Sequence, residues 1–237
     1  MFNIIKKLVP YQLKVKLVQY LRTKLPDISV EAQRAKLSKH WEKIESEIPR
    51  IDIESKHIQH LKMLTTREEM LTLLPKNCTV AELGVNRGDF SKKILDTCQP
   101  QKFHIIDVWS SDRYHRGLQK IVEERFEKEI SSGQIEINLG YSTDVVNQFQ
   151  DSYFDWIYID TDHSYEVTRD ELEKYRNKIK PGGIIAGHDF IVGYWRDMVR
   201  YGVIEAVYEF CVKYDWEILY LSMEINEHPS FAIRRIQ

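Results

Sequence analysis

From residue 78 onward the chain changes period, and no other feature constrains its fold as strongly. Short β-branched runs at 79–83, 103–108, 135–139, 156–160 and 183–186 alternate with helical patterns at 90–98, 113–130 and 165–178. Strand and helix in alternation predict right-handed crossovers and a parallel sheet covered on both faces. The end of the chain breaks the alternation. After a helical pattern near 203–213 come two strand-like runs, 216–222 and 230–234, separated by too few residues for a crossover helix. These two runs should pair antiparallel. An α/β sheet that is mostly parallel and has an antiparallel last strand is not the plain dinucleotide-binding fold.

The N-terminal third reads differently. Up to Lys24 every charged side chain is basic, and Ile4, Ile5, Leu8, Leu13, Leu17 and Leu21 recur at mostly helical spacing. Further helical stretches are expected over about 30–47 and 55–74; within the latter, Thr66 and Glu69 fit a capping box that would start a new helix there, ending before Pro75. The chain therefore reads as a helical extension over 1–74 followed by a ligand-binding domain over 75–237. The extension is expected to be a lid, a dimer arm in a homo-oligomer, or a peripheral contact with an anionic membrane. The net charge of −2 gives no global field that would favour nucleic acid. The three cysteines, Cys78, Cys98 and Cys211, are scattered, and no apolar run approaches bilayer length. A reducing, cytoplasmic setting is expected.

The chemistry-bearing residues fall at strand ends. Glu82-Leu83-Gly84-Val85-Asn86-Arg87-Gly88 closes the first strand of the alternating series. Gly84 and Gly88 permit a tight turn and close approach of a ligand. The pattern lacks the GxGxxG that cradles a pyrophosphate, so the ligand should carry no diphosphate, and Glu82 would suit a cationic amino-acid end. Asp107 ends the next strand 19 residues after Gly88, the spacing at which a carboxylate meets ribose hydroxyls. Gly140-Tyr141-Ser142 follows the third strand, where Ser142 could flank a base and Tyr141 or Trp109 could pack on its face. Asp160 and His163 follow the fourth strand, and His188 and Asp189 the fifth. Two carboxylates and two imidazoles converging on one mouth make either a divalent-metal site or an acid–base site.

The strings ELGVNRG (82–88), HIIDVW (104–109), GYS (140–142), FDWIYIDTDHSYE (154–166) and KPGGIIAGHDF (180–190) resemble class I S-adenosylmethionine (SAM)-dependent methyltransferases with their Rossmann-like sheet. The resemblance is to the branch called methyltransferase family 24, which is similar to the macrolide-sugar and aminocoumarin-sugar O-methyltransferases, and it covers about 73–234. It implies SAM held by Glu82, Gly84, Asn86, Gly88, Asp107 and Ser142. It further implies Mg²⁺ held by Asp160 and Asp189, and O-methylation of a small-molecule, sugar or glycan acceptor. The sugar enzymes often carry two adjacent acids where this chain has His188-Asp189. The alternative to a metal is therefore His163 or His188 as general base, with Asp160 at the acceptor. Two other readings stand beside this one: an NAD-dependent oxidoreductase on a related fold, and a non-catalytic SAM-binding module.

Overall fold

The computed structural model of the chain describes residues 28–194, 199–224 and 227–237. The basic segment up to Lys24, and with it the expected lid, dimer arm or membrane contact, lies outside the described residues. The chain divides into two compact units, Met1–Glu47 and Ile48–Gln237. The first contains helix α1 (Ile28–Glu47).

The second unit opens with a 3-10 turn at Ser55–Ile58, strand β1 (Lys62–Leu64) and helix α2 (Arg67–Leu73). The new helix expected to start at the Thr66 capping box is α2, while the residues before it, read as helical from 55, form the 3-10 turn and β1 instead. The boundary falls at Thr66, whose backbone is extended (φ −144°, ψ 163°). The Thr66 hydroxyl accepts the Glu69 amide at 3.1 Å, while the Glu69 carboxylate turns back to the Thr65 amide and hydroxyl at 2.8 Å each. These bonds satisfy the first-turn donors of α2 and stop it from growing backward. Residues 48–74, read from sequence as part of the extension, belong to the same compact unit as the sheet, and the first unit ends at Glu47.

The alternating region follows the expected periods closely. Strands β2 (Thr79–Leu83), β3 (Lys102–Asp107), β4 (Ile135–Leu139), β5 (Phe154–Ile159) and β6 (Ile179–Gly187) are separated by helices. These are α3 (Asp89–Cys98), α4 (Arg116–Arg125), α5 (Glu127–Ser131), the short α6 (Ser142–Val145) and α7 (Tyr165–Arg176). The helical pattern over 113–130 is two helices, joined at Phe126 (φ −113°, ψ 25°). After a two-residue pair, β7 (Gly193–Tyr194) with β8 (Val199–Arg200), come α8 (Val203–Tyr214), β9 (Trp216–Ser222) and β10 (Phe231–Arg235).

The main sheet has the order β1-β9-β10-β6-β5-β2-β3-β4. All neighbours are parallel except β10, which is antiparallel to both β6 and β9. The path β2→β3→β4 steps one way and β5→β6 the other. Right-handed crossovers accordingly place α3 and α4 on one face and α7 on the opposite one. One core joins Val80, Phe103, Ile105, Trp156 and Tyr158 with Met70, Leu71, Ile94, Val122 and Phe126 from α2, α3, α4 and the turn after it. The alternate strand residues Ala81, Leu83, Ile157 and Ile185 are equally buried, as a sheet covered on both faces requires. Among the described residues, no helix is long and apolar enough to cross a membrane.

The inserted strand β10 is anchored by Phe231, which is 1% exposed. Its ring lies where a side chain at Gly187 would begin, 2.6 Å from a Cβ built there, and is 5.7 Å from the Phe190 ring. Only glycine at 187 lets the aromatic close over the end of β6. Phe231→Ala should destabilise the protein by about 3–5 kcal/mol through the cavity it leaves. Urea denaturation followed by tryptophan fluorescence measures this, and a loss below about 1 kcal/mol would show that the insertion does not depend on that ring.

Candidate functional site at the carboxyl ends of the strands

The strand order reverses between β2, β3 and β5, and the carboxyl ends of such strands form a crevice. A cleft of about 650 Å³ lies there, within the usual range for small-ligand sites. It is lined by Glu82, Gly84, Asn86, Asp107, Ser142, Asp160 and His163, together with Arg67, Phe90, Tyr114, Tyr141, Thr161 and Glu171.

Gly84 sets the geometry of this mouth. Its φ is +83°, and a Cβ built on it would fall 2.0 Å from the Asp160 carbonyl oxygen. The glycine is therefore required by the neighbouring strand end as much as by any ligand. The Gly84 amide donates to the Ile106 carbonyl at 2.9 Å, and the Asp160 amide donates to the Leu83 carbonyl at 2.7 Å. Three strand ends are tied together in this way. Gly88, with φ +79°, precedes α3, and a Cβ there would meet the Phe126 ring at 2.8 Å.

Asp107 organises the loop beside it. One carboxylate oxygen accepts the Val85 and Asn86 amides at 2.8 and 3.0 Å, and the other accepts the Trp109 amide at 2.9 Å. A carboxylate offers about four acceptor positions. The oxygen facing Trp109 thus retains capacity for a ligand hydroxyl. Trp109, expected as a face for a base, is instead fully buried and donates its indole N–H to the Asn86 carbonyl at 2.8 Å. Tyr141 remains on the cleft, 62% exposed.

Two lining carboxyls are buried. Glu82 shares a strand face with Val80 and so meets α3, whose Ser91 hydroxyl donates to it. Burial pushes the Glu82 carboxyl well above the usual range, against the opposing effect of that hydrogen bond. Glu171 is fully buried, and burial pushes it up to about 7 although Ser142 and Thr161 donate to it. Sequence reasoning missed Glu171, yet its signal was present. Tyr165, Thr168, Leu172 and Tyr175 mark the buried stripe of α7, and Glu171 is an acid on that stripe.

At the far edge, ligand atoms of Asp160, His163 and Asp189 lie within 4.8 Å of one another. Burial, with Asp189 adding to it, pushes the Asp160 carboxyl up to about 7. His163 Nδ1 is 3.1 Å from Asp189 Oδ2, and burial lowers the pKa of its ring. His188 departs from expectation. Its Nδ1 is 3.4 Å from the same oxygen, but its Nε2 is buried without a partner and the residue does not line the cleft. Burial drives it down to about 4. The structure thus brings three of the four expected residues together and sets His188 behind them.

Two further neighbours had no local signal in the sequence. His228, in the turn between β9 and β10, hydrogen-bonds the other Asp189 oxygen through Nδ1. Arg67, at the start of α2, places Nη1 3.8 Å from Asp160 Oδ2 and Nη2 2.9 Å from Glu227, over the Phe90 ring at 4.4 Å. Both arrive only through tertiary closure.

Comparison with known proteins agrees with this geometry. Residues 81–190 match the family described as a methyltransferase domain. Among curated proteins, none matches the chain in sequence. Similar solved structures include the pyocyanin biosynthetic protein PhzM, with a TM-score of 0.53 at 12% identity, covering 71% of this chain. This chain spans only about half of that protein's length, 54%. The M1A22 tRNA methyltransferase TrmK of B. subtilis gives 0.53 at 12% identity, covering 73% of this chain and 67% of its own. The M. capricolum TrmK, solved with S-adenosyl-homocysteine (SAH), gives 0.51 at 17%, covering 74% and 70%. The sheet order, the inserted antiparallel strand and the matched segment agree: the chain has the Rossmann-like α/β fold of these methyltransferases, and its residues 81–190 match the methyltransferase-domain family.

Proposed function

We propose that the chain is a SAM-dependent methyltransferase acting on a hydroxyl of a small-molecule, sugar or glycan acceptor, with a divalent cation at Asp160 and Asp189. The observation that carries this reading is that one cleft takes in the Gly84 turn, Asp107 and the Asp160–His163 edge. The described lining also holds more carboxyls than guanidinium groups, which suits a cationic donor and opposes a phosphate backbone.

Bound SAM supplies an electrophilic sulfonium methyl. The work of the chain is to hold the two reactants in line and to exclude water, for which positioning is the main lever. Asp107 accepts one ribose hydroxyl on its remaining acceptor position. The Gly84–Gly88 turn and Asn86 form the floor, and the Ser142–Glu171 pair borders the base, with Tyr141 on its face. Glu82 hydrogen-bonds the amino-acid end. Asp160 and Asp189 would hold the cation, which would supply Lewis acidity toward the acceptor oxygen. The residues present fit a divalent ion, since two carboxylate oxygens converge with an opening toward the cleft. The hydroxyl proton passes to Asp160 or His163, which both line the cleft. His188, withdrawn from the cleft, does not take that role.

Asp107→Ala should weaken SAH binding at least tenfold, a loss of about 1.5–3 kcal/mol in charge-assisted hydrogen bonds. Isothermal titration checks this, and unchanged affinity would remove Asp107 from the ribose. With labelled SAM and a panel of glycosides, EDTA should stop methyl transfer and added divalent cation should restore it. Asp189→Asn should slow transfer by more than about 100-fold, beyond what the loss of an outer partner of a ligand costs. Full turnover in EDTA would exclude the cation while leaving methyl transfer in place.

A further inference from the structure

We propose that the ion at the mouth of the sheet is a first-row transition-metal ion, not Mg²⁺, and that His163 is its third protein ligand beside Asp160 and Asp189. This rests on the divalent-cation reading above and specifies its chemistry.

The donor set carries the inference. Magnesium takes oxygen ligands in near-ideal octahedra, whereas an imidazole nitrogen suits zinc, iron, cobalt or nickel. Here one of the three atoms that converge within 4.8 Å is an imidazole nitrogen. Its position is built and not incidental. The His163 backbone carbonyl accepts the Gly202 amide at 2.7 Å, and its ring packs on Tyr201 at 4.7 Å. Gly202 is required there, because a Cβ would fall 2.4 Å from the Tyr165 backbone nitrogen.

Asp189 is prepared in the same way. Its backbone sits at φ +57°, a left-handed conformation uncommon outside glycine, and it is 4% exposed. One of its oxygens faces His163, and His228 holds the other. A ligating carboxylate fixed by an outer hydrogen bond is the usual construction around a metal. Asp160 and His163 line the cleft while Asp189 backs them, so the remaining coordination positions open toward the acceptor. Three protein ligands with an open face are the pattern of a catalytic site. Arg67, 3.8 Å from Asp160, offsets part of the negative charge without bridging to Asp189. With Nδ1 on the ion, His163 is a ligand, and the proton acceptor is the second Asp160 oxygen.

The test uses the full chain stripped of metal and titrated separately with Co²⁺ and Mg²⁺, with SAH binding measured alongside. Co²⁺ should bind at one ion per chain, and His163→Ala should weaken it by about 10-fold or more while Mg²⁺ affinity stays nearly unchanged. His163→Asp, which restores an all-oxygen set, should shift the preference toward Mg²⁺. In the Mn²⁺-loaded protein, pulsed electron paramagnetic resonance should show a directly bound nitrogen that disappears in His163→Ala. Co²⁺ affinity indifferent to His163, or a nitrogen signal that persists without it, overturns the assignment. SAH binding without any metal binding defeats this inference alone, whereas a wild-type protein that binds no SAH defeats the methyltransferase reading beneath it.

Discussion

The contact on which the site depends is the one between the Gly84 turn and the end of β5. With no side chain at 84, the Asp160 carbonyl comes within 2.0 Å of where a Cβ would stand, and the Asp160 amide closes on the Leu83 carbonyl. A side chain at 84 would separate two adjacent strand ends and would also have to adopt a left-handed backbone. The consequences reach both halves of the cleft. On one side, the turn brings the Val85 and Asn86 amides onto Asp107. On the other, it sets the depth at which Asp160 meets His163 and Asp189.

The second constraint is electrostatic. Glu82 and Glu171 are fully buried acids and Asp160 is partly exposed, and burial raises all three. Each uses a different device to lower the cost of its position. Ser91 donates to Glu82, Ser142 and Thr161 donate to Glu171, and Arg67 stands beside Asp160. Buried carboxyls with perturbed ionisation gathered in one cleft are the usual mark of a functional site, because a folded core would more readily be apolar. Asp160 is the one whose ionisation a cation would restore, since its second perturbing neighbour is the carboxylate of Asp189.

Much of this was legible in the chain. The period change after residue 78 placed the strands of the alternating region, and the short spacing between 222 and 230 foretold the antiparallel end. What was legible in each case was local: a strand's alternation, a glycine at a turn, an acid at a strand end. What was not legible depended on closure between distant segments. The 3-residue strand β1 gains its identity only by pairing with β9, so the segment before Thr66 read as helical. His188 and Asp189 are adjacent in sequence, yet only Asp189 joins Asp160 and His163 in the convergent cluster, while one ring nitrogen of His188 is buried without a partner. Arg67 and His228 lie far apart in the chain, and no spacing rule connects them to Asp160 and Asp189.

The central claim is that the mouth of this sheet binds an adenosyl ligand lacking a diphosphate. Titrating the full chain with SAH and, separately, with NAD⁺ in a calorimeter tests it most directly. The account predicts a saturable isotherm for SAH at one site per chain and none for NAD⁺. Saturable NAD⁺ binding with no heat from SAH would contradict it.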